Sequence, residues 1–86
     1  MKRVDVLWTD EAGTPRIAPA TLEDSSHGGL SMRMRNPIPV GLHVTVRWGN
    51  EQASGAITHC RKVKGDYVIG VKRETIEDID RKPNDP

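Results

Sequence analysis

The chain has 86 residues, which suffices for one small domain, and a domain of this length buries only about 60–65% of the surface that its unfolded form exposes. Apolar residues make up 35% of the chain and Phe is absent, so the core must be small. The 13 Lys and Arg nearly cancel the 12 Asp and Glu, which argues against the strongly basic surface of a nonspecific DNA-binding protein.

Cysteine content and hydropathy favour a reduced, cytoplasmic setting. The single cysteine, Cys60, cannot form an internal disulfide. The N-terminus lacks the apolar stretch of a secretory signal, and no apolar run approaches the roughly 20 residues that span a bilayer. We therefore expect a cytoplasmic domain without direct membrane insertion.

Six short segments show the alternation of apolar and polar residues that is typical of half-buried β-strands. In chain order they are residues 4–8, 17–23, 30–35, 42–48, 52–62 and 67–72. The fourth is the clearest, with Leu42, Val44, Val46 and Trp48 on one face. Turn-forming residues separate the segments, and Gly49-Asn50 is a favoured pair for a two-residue hairpin turn. Two prolines and a glycine make residues 36–41 a connection.

This pattern predicts an all-β fold, a small six-stranded antiparallel β-barrel spanning residues 1–74. The alternation ends after Arg73. Thr75 can cap one or two helical turns whose acidic residues lie near the positive helix end. Residues 75–86 are therefore expected to form a short C-terminal helical turn and a flexible tail.

The most unusual stretch lies between the second and third predicted strands, where residues 24–29 read Asp-Ser-Ser-His-Gly-Gly. An ordinary turn explains this composition, because Asp and Ser bond to nearby backbone and Gly accepts positive φ. The functional interpretation is a ligand site. Asp24 can accept hydrogen bonds from a guanine edge, serine hydroxyls suit sugar or phosphate, and glycines let a ligand approach the backbone.

Asp24-x-Ser26-x-x-Gly29 resembles a motif of the PilZ family of bacterial cyclic di-GMP receptor domains. The similarity covers roughly residues 3 to 73 and includes later strand signatures at residues 39–41, 55–57 and 67–71. It implies a six-stranded antiparallel barrel, which agrees with the strand pattern, and a ligand site at Asp24, Ser26 and Gly29. It also implies a protein partner or a neighbouring domain in a longer protein, to which binding is relayed.

The family's second motif, two arginines spaced Arg-x-x-x-Arg before the first strand, is incomplete. Arg3 occupies the place of the second arginine, Lys2 precedes it, and the first would fall before Met1. Arg16 is a candidate replacement in space, although a lone hairpin arginine is more often a solvated charge. A further departure is Arg73, where the family usually closes its last strand with a bulky apolar residue; a looser barrel end is expected there.

Other classes of function find less support. His27, His43, His59 and Cys60 form no recognised metal-ligand spacing, and the adjacent His59 and Cys60 should point to opposite faces of a strand. No nucleophile has an identifiable base, so we expect neither catalysis nor a cofactor. RNA or single-stranded DNA binding would need exposed aromatic residues, whereas Trp48 lies on the apolar face of its strand.

Two functions therefore remain open. In the first, the domain senses cyclic di-GMP weakly through Arg3, Asp24, Ser26 and Gly29, with Lys2 and Arg16 as further basic candidates. In the second, it is a degenerate PilZ domain that binds no nucleotide and serves as a protein-interaction module. The incomplete arginine motif separates the two.

Overall fold

The computed structural model describes residues 2–74, which form six antiparallel β-strands and no helix. The strands are β1 Lys2–Thr9, β2 Pro15–Ser25, β3 Gly29–Met34, β4 His43–Trp48, β5 Glu51–Val63 and β6 Asp66–Arg73. The predicted fold class is confirmed, and each strand overlaps its predicted segment. The helical turn predicted after Thr75 lies outside the described residues. No helix in the described part of the chain is long and apolar enough to cross a membrane.

The six strands close into a barrel in the order β1-β2-β3-β6-β5-β4, and β4 pairs back with β1. All six pairings are antiparallel. Closure gives every strand two hydrogen-bonded neighbours, so the barrel leaves no strand edge unpaired. Because β3 pairs with β6 rather than β4, residues 35–42 cross one end of the barrel.

Inward-facing side chains from all six strands fill the barrel. Val6, Met32, Val46 and Ile69 are fully buried. The connection contributes as well: Ile38 is fully buried between its two flanking prolines. The predicted apolar face of β4 is confirmed, although Trp48, near the strand end, is only half-buried while packing against the core.

The β1–β2 connection is organised by one carboxylate. Asp10 Oδ1 accepts hydrogen bonds from the backbone N–H groups of Thr14 (2.9 Å) and Ala12 (3.0 Å). Its Oδ2 accepts from Arg16 Nε at 2.9 Å. The Thr14 hydrogen bond, followed by that from Arg16, lowers the pKa of Asp10 below its ordinary value of 3.8.

The lowered pKa of Asp10 means that its ionised form stabilises the folded domain over a defined pH range. The folded-state pKa lies below the unfolded one, so the stabilisation is present above about pH 3.8 and is lost as the pH falls through the folded-state value. We expect Asp10→Asn to melt at a lower temperature than the parent at neutral pH. The difference should shrink on acidification, and thermal melts that keep it constant across this range would contradict the assignment.

The barrel core provides a matched pair of isoleucine substitutions. Ile69 is fully buried, whereas Ile17 is 62% exposed on the outer face of β2. Ile69→Ala should cost about 2–5 kcal/mol through lost burial and the cavity that remains, a large share of the roughly 5–15 kcal/mol typical of domains. Ile17→Ala should cost less than about 1 kcal/mol. Equal losses in urea denaturation would show that the inward and outward faces are misassigned.

Candidate functional site

The loop between β2 and β3 is a tight turn closed by Ser26 and Gly29. The backbone N–H of Ser26 donates to the Gly29 carbonyl at 2.9 Å. The Ser26 hydroxyl accepts from the Gly29 N–H at 3.2 Å and donates to the Gly29 carbonyl at 3.3 Å. The spacing of Ser26 and Gly29 is therefore explained by the turn itself. The hydroxyl oxygen retains a second lone pair that can accept from a ligand.

A β-bulge determines where Asp24 lies. Leu22 pairs with Met32, but Asp24 pairs with Ser31, so β2 advances two residues while β3 advances one. In regular alternation Asp24 would share the inward face of Leu22. The extra residue instead places Asp24 with Ser31, between the inward-facing Leu30 and Met32, and hence on the outer face of the barrel. Asp24 is exposed, and its Oδ1 accepts from the Ser25 N–H at 2.9 Å.

Two further pairings extend this position into a cross-strand row, defined as Asp24, Ser31, Gly70 and His59 on β2, β3, β6 and β5. A second bulge, between Ile57 and His59, brings His59 opposite Gly70. The imidazole lies directly over the Gly70 backbone, where a Cβ atom would collide with the ring. Only glycine at this position lets the ring rest against the sheet.

The cross-strand row forms the floor of an open groove of about 350 Å³. Its lining combines carboxylate, hydroxyl, imidazole and ammonium groups with glycine backbone, and comprises Asp24, Ser26, Gly28, Gly29, Leu30, Ser31, Thr58, His59, Gly70, Val71 and Lys72. This composition provides hydrogen-bond donors and acceptors together with close access to the backbone, which suits a small polar ligand better than an apolar one.

The end of β6 holds the loop in place. The backbone N–H of Arg73 donates to the Gly28 carbonyl at 2.9 Å, and its guanidinium Nη1 donates to the Ser26 carbonyl at 3.1 Å. The sequence predicted a looser barrel end at Arg73. In the structure the Arg73 side chain is half-buried, and the residue makes two hydrogen bonds to the loop. Arg73 positions the loop where a bulky apolar residue was expected to close the strand.

The structure brings together three of the six predicted site residues. Asp24, Ser26 and Gly29 line the groove, whereas the three basic candidates do not. Lys2 and Arg3 lie on β1, where they pair with Leu22 and Thr21 of β2. Arg3 lines two other grooves.

Arg16 lies at the far end of β2. It pairs with Trp8 and bonds to Asp10 in the opposite turn. It lies eight positions before Asp24, which corresponds to roughly 26 Å along an extended strand. Arg16 therefore does not stand in for the missing arginine at this groove.

Sequence reasoning missed the residues that β5 and β6 contribute to the groove, chiefly Thr58, His59, Gly70 and Lys72. Alternation along β6 was a usable signal, because Gly70 and Lys72 share the outward phase. The position of His59 depends on the β5 bulge, in which the Thr58 hydroxyl donates to the Gly70 carbonyl at 3.2 Å. In the alternation the bulge appears only as a polar residue, His59, where an apolar one was due.

No protein-family model, curated protein or solved structure matches the chain. Among residues 2–74, no three His, Cys, Asp or Glu side chains are grouped so that they could hold a metal ion. His59 is exposed in the groove, while the adjacent Cys60 packs against the core, so the two face opposite sides of β5. The chemistry of the groove is that of its hydrogen-bonding and charged side chains.

Two neighbouring glycines provide a test of the loop. A Cβ atom on Gly29 would lie 2.9 Å from the Val71 carbonyl oxygen, whereas a Cβ on Gly28 would meet nothing within 4 Å. Gly29→Ala should therefore cost about 1–3 kcal/mol, because backbone must move, and Gly28→Ala should change stability by less than about 1 kcal/mol. Denaturation curves that rank the two variants in the opposite order would refute the close approach of β3 and β6.

Proposed function

We propose that this chain is a PilZ-like binding domain that binds cyclic di-GMP weakly in the groove beside residues 24–29 and relays that binding to a protein partner or neighbouring domain. The observation that carries the proposal is the β2 bulge. It turns Asp24 away from the core and onto a groove floored by Ser31 and the Gly70 backbone. The PilZ resemblance of the Asp24, Ser26 and Gly29 spacing supplies the identity of the ligand.

The groove chemistry suits a guanine nucleotide. A carboxylate accepts two hydrogen bonds in parallel, which matches the adjacent N–H donors on the Watson–Crick edge of guanine. Within residues 2–74, Oδ1 of Asp24 accepts from the Ser25 N–H and no hydrogen bond occupies Oδ2. The hydroxyls of Ser26 and Ser31 face the same groove and can bond to ribose or phosphate oxygens.

Weak affinity follows from the positions of the arginines. Forked guanidinium contacts to phosphate or to guanine O6 and N7 are strong because they are bidentate and charge-assisted. The only family-motif arginine present, Arg3, pairs with Thr21 and lies outside the groove. We expect a dissociation constant in the micromolar range or weaker, equivalent to about 8 kcal/mol of binding free energy or less.

One observation favours the alternative, a degenerate PilZ domain that acts only as a protein-interaction module. The contacts of Ser26 and Gly29 are accounted for by the turn, and Arg3 does not reach the groove. In that case the motif persists for loop geometry alone. The two functions differ in whether the Asp24 carboxylate contributes to nucleotide binding.

Calorimetric titration with cyclic di-GMP tests the proposal, using Asp24→Ala and a matched control, Asp5→Ala. Both carboxylates are exposed on strands, but Asp5 lies on β1 outside the groove. Asp24→Ala should weaken binding about 10-fold or more, because charge-assisted hydrogen bonds are lost, while its melting temperature changes little. Asp5→Ala should bind like the parent.

A gain-of-function variant sharpens this test. The β1–β2 pairing ends at Lys2 and Leu22, two residues before Asp24, so on an extended N-terminus an arginine four positions before Arg3 would lie near the β2–β3 turn. Adding it should tighten binding. If the chain ignores cyclic di-GMP at millimolar concentration with and without the added arginine, the receptor function is wrong and the interaction module stands.

A further inference from the structure

On the side of the groove away from Asp24, two side chains line it, His59 of β5 and Lys72 of β6. Lys72 pairs with Gly29, and His59 pairs with Gly70. Because Gly70 and Lys72 are two residues apart on β6, Lys72 and His59 are diagonal cross-strand neighbours about 7–8 Å apart at the backbone. Both side chains are exposed and line the groove.

Lys72 is the cation most available to a ligand in this groove. Within the described chain no carboxylate lies within 4.0 Å of its ammonium group. The neighbouring charges are already engaged: Arg73 bonds to the Ser26 carbonyl, and Glu74 pairs with His43 at 3.2 Å. An ammonium group on an exposed strand position, beside glycine backbone and without a carboxylate partner, is suited to bind a phosphate.

His59 presents a flat surface whose position is defined. One face of the imidazole rests on the Gly70 backbone, so the opposite face is directed outward. The Thr58 hydroxyl lies 3.5 Å from His59 Nδ1 and donates to the Gly70 carbonyl at 3.2 Å, which ties the ring to the bulge beneath it. A ring held against a sheet in this way can stack on a purine base.

We propose that Lys72 and His59 complete the nucleotide site: Lys72 pairs with a phosphate of the cyclic dinucleotide, and His59 stacks on one of its purine rings. This inference rests on the proposed function and assigns to β5 and β6 the roles that neither Arg3 nor Arg16 is placed to perform. Asp24, across the groove, then accepts hydrogen bonds from the edge of the base.

The role of Lys72 is tested by Lys72→Gln, with Lys62→Gln as the control for charge. Lys62 is also exposed, but it lies near the other end of the β5–β6 pair, opposite Tyr67. With cyclic di-GMP as the probe, Lys72→Gln should weaken binding about 10-fold or more and reduce its dependence on salt, because one ion pair with phosphate is lost. Lys62→Gln should retain the parent affinity and salt dependence.

The role of His59 is tested by His59→Ala, His59→Phe and a control, His43→Ala, whose exposed imidazole lies on β4 outside the groove. His59→Ala should weaken cyclic di-GMP binding about 5-fold or more with unchanged salt dependence, since stacking involves no ion pair. His59→Phe should restore most of the affinity, and His43→Ala should bind like the parent. Gly70→Ala, which displaces the ring without removing it, should resemble His59→Ala.

The outcomes separate this inference from the proposed function. If the parent binds cyclic di-GMP and Asp24→Ala weakens binding, while Lys72→Gln and His59→Ala match their controls, the receptor function holds and the β5–β6 assignment is wrong. If His59→Phe fails to recover binding while its melting temperature equals that of the parent, stacking is wrong. If the parent does not bind at millimolar ligand, the proposed function fails and this inference fails with it.

Discussion

The candidate site depends on one irregularity, the β-bulge between Leu22 and Asp24. If the regular pairing continued past Leu22, Asp24 would lie opposite Leu30 and face into the barrel, where an unpaired carboxylate would be strongly unfavourable. With the bulge, the strand returns to the same hydrogen-bonded ladder with its phase reversed. The Asp24 carboxylate therefore lies on the outer face of the barrel, only two residues after the buried Leu22. The β2–β3 turn begins after Ser25, the next residue.

The same physics explains what the sequence predicted and what it could not. Alternation reports which face of a strand is buried, and that signal was sufficient for six strands and for the inward placement of Val44 and Val46. A bulge reverses the phase without changing composition. Both bulges appear in the sequence only as a polar residue where an apolar one was due, Asp24 after Leu22 and His59 after Ile57. Such interruptions at groove positions are a usable signal in retrospect.

The loop shows how a motif can have two explanations at once. Residues 24–29 were predicted as a loop, but β2 continues to Ser25 and β3 begins at Gly29, so only residues 26–28 lie outside the strands. The turn uses the Ser26 hydroxyl, and the approach of the Val71 carbonyl requires the absence of a side chain at Gly29. Neither residue therefore needs a ligand to explain it. Asp24 differs in what it leaves available: among residues 2–74 its side chain accepts one hydrogen bond, from the Ser25 N–H to Oδ1, and Oδ2 stays open to the groove.

The closed barrel also explains why the cations of such a site need not come from the N-terminus. The β2–β3 turn lies at one rim of the barrel, and the strand order places the start of β1 on one side of it and the end of β6 on the other. A ligand seated at Asp24 can therefore be approached by basic residues from either strand. In this chain the β1 side offers Arg3 outside the groove, whereas the β6 side carries Lys72 within it and Arg73 bonded to the loop. The end of β6 thus supports the loop through Arg73 and places a cation, Lys72, in the groove.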